Sequence, residues 1–296
     1  MLRVIETSRE GARGKTHVSL RKYGHKSLFT QLKVLARRDA LNSLRDKKSL
    51  IARMVVNVVI STIVGCVFLG VGNLAPYVQQ GKLLPDPSHQ GGVSLMGTNA
   101  MFGVAQSVLL TFPIERPAFL REYVAGFYGV VPYVIAKTFT EVVITAVQLA
   151  IQVMILSLFM ALDGPYFFMF LTAYLLAVAT SSSAFAVVGY MREVKRAAEV
   201  FPLLLGPQLL FAGVFMPSSQ IPVFLRWIQY ICPLKYGIAD LYKYEFYGNV
   251  PGDNLLDKNG IDPSLDWLFL LVLMFLTIAF RTVSTLGLKR NAKTVF

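Results

Sequence analysis

Charge is scarce in this sequence. Only 16% of its 296 residues are Asp, Glu, Lys or Arg, where a soluble domain carries roughly 25%. Mean hydropathy is +0.54, and several apolar runs are long enough to cross hydrocarbon. An integral membrane protein follows. Cysteine is scarce too: the two thiols, Cys66 and Cys232, give no disulfide framework, and Cys66, inside an apolar run, reads as a small core residue. The three histidines, His17, His25 and His89, fall outside the spans, and no HExxH or aspartate pair lies within one. Metal- or histidine-based catalysis inside the membrane is thereby disfavoured. There is no N-x-[ST] site and no internal repeat. Residues 1–27 are polar and basic without an apolar centre, so they show no signal-peptide pattern.

What is present is a basic leading block. Residues 1–53 hold fourteen Lys/Arg against Glu6, Glu10, Asp39 and Asp46. Placed directly before the first span, that bias matches the positive-inside pattern and attraction to anionic headgroups. No aromatic residues are interleaved as stacking platforms, so nucleic acid is not an expected partner. Within the block, GARGKT (11–16) imitates a phosphate-binding loop. The full pattern G-x-x-x-x-G-K-[ST] would need glycine at position 9, which is Arg9, and no buried strand leads into it. The chain is therefore not expected to be an ATPase by itself.

The expected fold is all-α. Residues 1–27 form a cytosolic lead-in. Residues 28–48 place Leu28, Leu32, Leu35 and Ala36 on one helical face, interrupted by Asp39, as a basic amphipathic helix at the interface. Six spans follow at about 50–72, 94–113, 130–161, 166–190, 197–216 and 265–287, with 28–290 as one membrane domain and 291–296 as a cytosolic tail. Alternation from a cytosolic N-terminus puts Arg116/Arg121, Arg192/Lys195/Arg196 and Lys289/Arg290/Lys293 inside. Asp86, Asp253, Asp257, Asp262 and Asp266 then lie outside. Residues 217–264, broken by Pro217, Pro222 and Pro233, are too apolar for a free loop, which predicts a re-entrant or interfacial helical segment. Its aromatics, Trp227, Tyr230, Tyr236, Tyr242, Tyr244 and Tyr247, suit a headgroup-level belt.

Three charges fall inside spans: Lys137, Glu141 and Arg281. Such groups are costly in hydrocarbon and tend to face protein or water. Lys137 and Glu141, at i and i+4, are placed to pair along one helix; a structural ion pair is the plainer reading, a gating or assembly contact the alternative.

The stretch FPIERPAFLREYVAGFYGVVPYVIAKTFTE (112–141) resembles the loop and third span of G-subfamily ATP-binding-cassette transporters, the white and pleiotropic-drug-resistance-like group. The family pattern E-R-x-x-F-x-R-E-x-x-x-G-x-Y, then Y-x-x-A-K-x-x-x-E-x-P, is met at Glu115, Arg116, Phe119, Arg121, Glu122, Gly126, Tyr128, Tyr133, Ala136, Lys137 and Glu141. Further likenesses are FAGVF (211–215), WIQYICPLKYG (227–237), EF (245–246) and AFRTVSTLGLKR (279–290). Two features depart. Val142-Val143 follow Glu141 where the family carries a proline, and 247–264 lack the usual outer-loop cysteines.

The resemblance implies a membrane domain that dimerises, as homo- or heterodimer, around a substrate path, in a multi-pass protein of the plasma membrane. Family members normally carry a preceding nucleotide-binding domain, so this chain is expected to be a fragment or a permease served by a separate ATPase that holds ATP and magnesium. Glu115, Arg116, Phe119, Arg121 and Glu122 would couple to that ATPase, with Phe119 as an apolar anchor. Asn99 and Phe102 on span 2, with Leu205 and Gln208 on span 5, would line the path, and Val214 and Phe215 would constrict it. The implied cargo is amphipathic, lipid-like or xenobiotic. A non-transporting scaffold that keeps the permease fold is the alternative.

Overall fold

The computed structural model describes residues 27–72, 85, 87–191, 194–213, 221–248 and 250–293, which are almost entirely helical and contain no strand. This is the expected solution for an apolar chain: in lipid each backbone amide needs an internal partner, and a helix supplies one.

Helix α1 (Leu28–Arg45) and α2 (Lys47–Val67) are separated only by Asp46. Its carboxylate accepts from the Ser49 backbone N–H at 3.3 Å and caps α2. On α2 the buried residues are Asn57, Ser61 and Gly65, while Ile51, Val55, Val59, Ile63 and Val67 are exposed. That pattern is inside-out relative to a soluble helix. Small and polar residues at i, i+4 and i+8 let α2 approach its neighbour closely, and the apolar residues are left for lipid.

The neighbour is α4 (Val130–Met160), against which both α1 and α2 pack chiefly. Its 31 residues span about 46 Å at 1.5 Å per residue, longer than the hydrocarbon core of about 30 Å. Between them runs α3 (Pro87–Val124), bent by 51° between Pro87–Leu109 and Ile114–Val124. Pro113 sits in the break, where it removes a backbone donor. Helix α5 (Tyr166–Tyr190) is the most enclosed, packed by α3, by α7 (Pro233–Phe246) and above all by α9 (Asp266–Lys293). Helix α6 (Val194–Phe211), with Pro202 and Pro207 inside it, and α8 (Val250–Asn259) complete the set.

By length and composition, α2, α4, α5 and α9 are each able to cross a membrane, and the bent α3 makes a fifth. Helix α6 contributes only a shorter apolar stretch, Pro202–Phe211.

Two sequence expectations need correction. The stripe on α1 does not simply face lipid: Leu35 is buried, with Leu32 and Ala36 packed on the same core. Leu28 of that stripe is exposed, as are Phe29, Val34, Leu41 and Leu44. The aromatics of 217–264 divide as well. Trp227, Tyr230 and Tyr247 are exposed, but Tyr236 and Tyr242 lie in the core, and the Tyr242 hydroxyl meets that of Ser94 at 2.5 Å.

Candidate functional site

Four helices converge at the α1 end of the bundle, and each brings charge. Helix α1 supplies Arg38 and Asp39, α2 supplies Arg53, α3 supplies Glu115 and Glu122, and α4 supplies Lys137 and Glu141. They line a cavity of about 360 Å³ with Thr111, Phe119, Tyr133 and Thr140.

The pairs run between helices. Lys137 Nζ lies 2.7 Å from Glu115 Oε2 and 3.3 Å from Asp39 Oδ1. Glu141 is met by Arg53 Nη1 at 2.9 Å. The same guanidinium donates to Gln148 Oε1 at 2.6 Å and Thr145 Oγ1 at 3.3 Å. Each charge of the i,i+4 pair expected on α4 thus has its partner on another helix. The reason is geometric: burial makes a group seek several partners, and neighbouring helices offer more than one turn of its own.

Farther out, Arg38 donates to Glu122 Oε2 at 2.7 Å, and Tyr128 Oη donates to the same oxygen at 2.5 Å. Burial pushes Glu122 upward, but the hydrogen bonds from Tyr128 and Arg38 outweigh it and hold the carboxyl below its ordinary range. Burial and the Glu122 hydrogen bond push the Tyr128 phenol up to about 12, so it stays a donor. Burial works against the Arg38 charge, yet Glu122 and Tyr128 raise its pKa above the ordinary arginine value. Phe119 supports this group from below, its ring 4.3 Å from that of Tyr133 and 5.9 Å from that of Tyr123.

Of the five residues expected to face an ATPase, only Arg121 is fully exposed, while Glu115 and Glu122 are half-buried. Phe119, expected as the anchor for a partner, is 2% exposed and packs within its own chain. Arg116 is buried, its guanidinium donating to the Met191 carbonyl oxygen. The expected path residues also divide. Phe102 is exposed, and Asn99 Nδ2 donates to Ser61 Oγ of α2 at 3.3 Å. Leu205 and Gln208 are buried on α6. Val214 and Phe215 lie outside the described residues. Arg281, the third intramembrane charge, is buried between α9 and α5, with Nε donating to Ser182 Oγ at 3.0 Å and its guanidinium 4.2 Å from the Phe185 ring centroid.

Arg38, Asp39 and Arg53 were not singled out by sequence. Their signals were present: Asp39 interrupts the apolar stripe of α1, and Arg53 stands inside the first apolar run. A second missed group lies near the start of α3. His89 Nε2 meets Glu245 Oε1 at 2.8 Å, both side chains fully enclosed. Glu245 Oε2 also accepts the Gly164 N–H at 3.1 Å, which ties α3, α7 and the α4–α5 turn.

The chain is 26% identical to the broad substrate specificity ATP-binding cassette transporter ABCG2 of Bos taurus over 239 residues, 79% of this chain and 35% of that protein. It is 24% identical to protein white of Drosophila melanogaster over 289 residues, covering 90% of this chain and 40% of the relative. The ABC transporter G family member STR2 of Petunia hybrida is 24% identical over 253 residues, 81% of this chain and 33% of its own length. The chain spans about a third of the length of such relatives. Residues 30–246 match the membrane region of the ABC-2 type transporters, and with that match covering most of its length the chain belongs to the ABC-2 type transporter family.

Proposed function

We propose that this chain is a transmembrane subunit of an ATP-driven exporter of amphipathic, lipid-like or xenobiotic molecules. It forms the path, and a nucleotide-binding domain elsewhere supplies the hydrolysis. The observation that carries this reading is the layer of cross-helix charge pairs between α1, α2, α3 and α4. A soluble motor acts through contacts outside lipid. Here a push on the Ile114–Val124 piece of α3 reaches α4 through Glu115–Lys137 and α1 through Glu122–Arg38.

In this reading both termini are cytosolic, α6 belongs to the fifth of six spans, and the segment between α6 and α9 lies at the outer interface. The plasma membrane is the proposed location. Phe102 and Asn99 face a path closed by a second membrane domain, since the outward face of α3 is uncovered within one chain. The relatives named for transport support this reading over a silent scaffold.

Arg121 is the exposed contact for the ATPase. Glu122 is already committed to Arg38 and Tyr128, so reversing it would disturb the fold. Arg121→Glu tests the interface more cleanly. In the native complex, co-purified with its ATPase and reconstituted, the variant should insert and assemble normally but lose substrate-stimulated ATPase activity. Full stimulation in a well-expressed Arg121→Glu variant would remove the coupling role.

A further inference from the structure

The cavity between α1, α2, α3 and α4 holds more carboxylates than cations: five line it against Arg38, Arg53 and Lys137. Each cation is already engaged, Lys137 by Glu115 and Asp39, Arg53 by Glu141, and Arg38 by Glu122. What is left over lies on one wall. Asp39, Asn42, Ser43 and Asp46, at i, i+3, i+4 and i+7, turn one face of α1 to the cavity, although exposed Lys33, Arg37 and Arg45 make the rest of that helix basic. Asp39 gives Oδ1 to Lys137, but its enclosed Oδ2 has no hydrogen-bond partner among the described residues. Asp46 accepts the Ser49 N–H and meets no cation among the described residues.

The walls also fix the depth of the cavity. Helix α1 exposes those basic residues beside apolar Val34, Leu41 and Leu44, the mixture of a helix lying in the headgroup layer. Helix α2 exposes Ile51, Val55 and Val59, which suit hydrocarbon. Asp46 is the elbow between the two helices, so in a membrane the cavity opens at headgroup level. Apolar Leu50, Ala118 and Ile144 share its lining with the charges. Its volume of about 360 Å³ lies within the roughly 300–1,000 Å³ of small-molecule sites.

We propose that this cavity binds the headgroup of an aminophospholipid, of which phosphatidylethanolamine is the simplest. The primary ammonium brings the N–H donors that Asp39 Oδ2 and Asp46 lack. The phosphate turns to Arg38, whose side chain is 43% exposed, and the acyl chains leave along the apolar face of α2. A quaternary choline ammonium has no N–H to donate, and an anionic glycerol headgroup brings no cation to the carboxylates. The lipid is a bound component of the charge layer, not cargo. The proposal requires the chain to sit in a membrane but requires no ATPase, so its failure leaves the exporter reading intact.

The full chain, purified in detergent, can be offered an equimolar mixture of phosphatidylethanolamine, phosphatidylcholine and phosphatidylglycerol with identical acyl chains. Native mass spectrometry then reads the lipid retained. Phosphatidylethanolamine should be favoured over phosphatidylcholine about tenfold, the order of one charge-assisted hydrogen bond. Asp39→Asn and Asp46→Asn should each reduce that preference, and together abolish it. Asparagine caps a helix as well as aspartate does, so Asp46→Asn keeps α2 capped and stays decisive if Asp39→Asn does not fold. Asp257→Asn, at an exposed position of α8, should leave the preference unchanged. Phosphorylethanolamine without acyl chains should not displace the lipid; full displacement would assign the cavity to a soluble amine and overturn the lipid. Equal retention of the three lipids, or a preference that survives both substitutions, would overturn the proposal. Preferential retention of phosphatidylglycerol would also overturn it, leaving only attraction to the basic face of α1.

Discussion

At the scale of single residues, the charge layer is not uniform, and exposure decides which member matters. The Glu115 side chain is 36% exposed and that of Lys137 only 8%. Glu115→Gln leaves Lys137 with Asp39 and removes a partly hydrated contact, so its effect should stay within about 1 kcal/mol. Lys137→Met leaves Asp39 and Glu115 facing each other without a cation. Its cost should approach the lower end of the roughly 3–5 kcal/mol seen for broken buried pairs. Denaturation midpoints in detergent would separate the two, and equal losses would contradict this ranking. Glu122 adds a pH dependence. Because its folded pKa is depressed, its contribution is complete above the ordinary glutamate value of about 4.3 and is lost as pH falls through the lower folded value. Protection of the α1 amides against hydrogen exchange, corrected for the intrinsic slowing of exchange in acid, should therefore fall on acidification below that value. Glu122→Gln should already exchange fast at neutral pH, with a much weaker acid response.

At the scale of elements, close contacts between helix ends fix the frame. The Gly72 N–H donates to the Met160 carbonyl at 2.7 Å, joining the far end of α2 to that of α4. A Cβ at Gly72 would lie 2.4 Å from the Ala161 carbonyl oxygen, too close for any rotamer to relieve. Gly72→Ala should cost about 1–3 kcal/mol and lower the thermal midpoint. Gly70→Ala meets nothing nearby but keeps a φ of +68°, so strain alone should cost about 1 kcal/mol. Such contacts were not legible in the sequence, because a glycine's neighbours come from another helix. The helices themselves were legible: the apolar runs at 50–72, 130–161, 166–190 and 265–287 coincide with α2, α4, α5 and α9. The site was half legible. Lys137, Glu141 and Arg281 stood out because charge is rare in apolar runs. Asp39 and Arg53, which pair with Lys137 and Glu141, and Arg38, which pairs with Glu122, were masked by the basic block around them. Phe119 was misplaced because an aromatic beside four charges reads as a surface anchor until Tyr123, Tyr128 and Tyr133 are seen to enclose it.

At the scale of the whole molecule, the charge layer and the His89–Glu245 group mark different ends of the bundle, since α4 begins near one and ends near the other. Helix α4 starts at Val130, close to the Glu122–Tyr128 contact, and finishes at Met160, three residues before Asp163, whose N–H, like that of Gly164, is directed at Glu245. The described basic residues Arg38 and Arg53 belong to the charge layer, which the proposed topology puts on the cytosolic side. In the proposed topology the His89–Glu245 end would face outward; Ser88 and Asn254 are both exposed. Single-cysteine variants at these positions, made without Cys66 and Cys232, should react with a membrane-impermeant maleimide added to intact cells. A cysteine at Ser8 should react only after permeabilisation. Reaction at Ser88 without reaction at Asn254 would place an odd number of crossings between them and break the arrangement. Protection of both, with labelling at Ser8, would invert the bundle and put the charge layer on the wrong side for a cytosolic ATPase. Because α3 enters just before His89 and α9 leaves just after α8, agreement between these two labels would also require an even number of crossings through α3, α4, α5 and α6, which is the condition for α6 to be completed as a span.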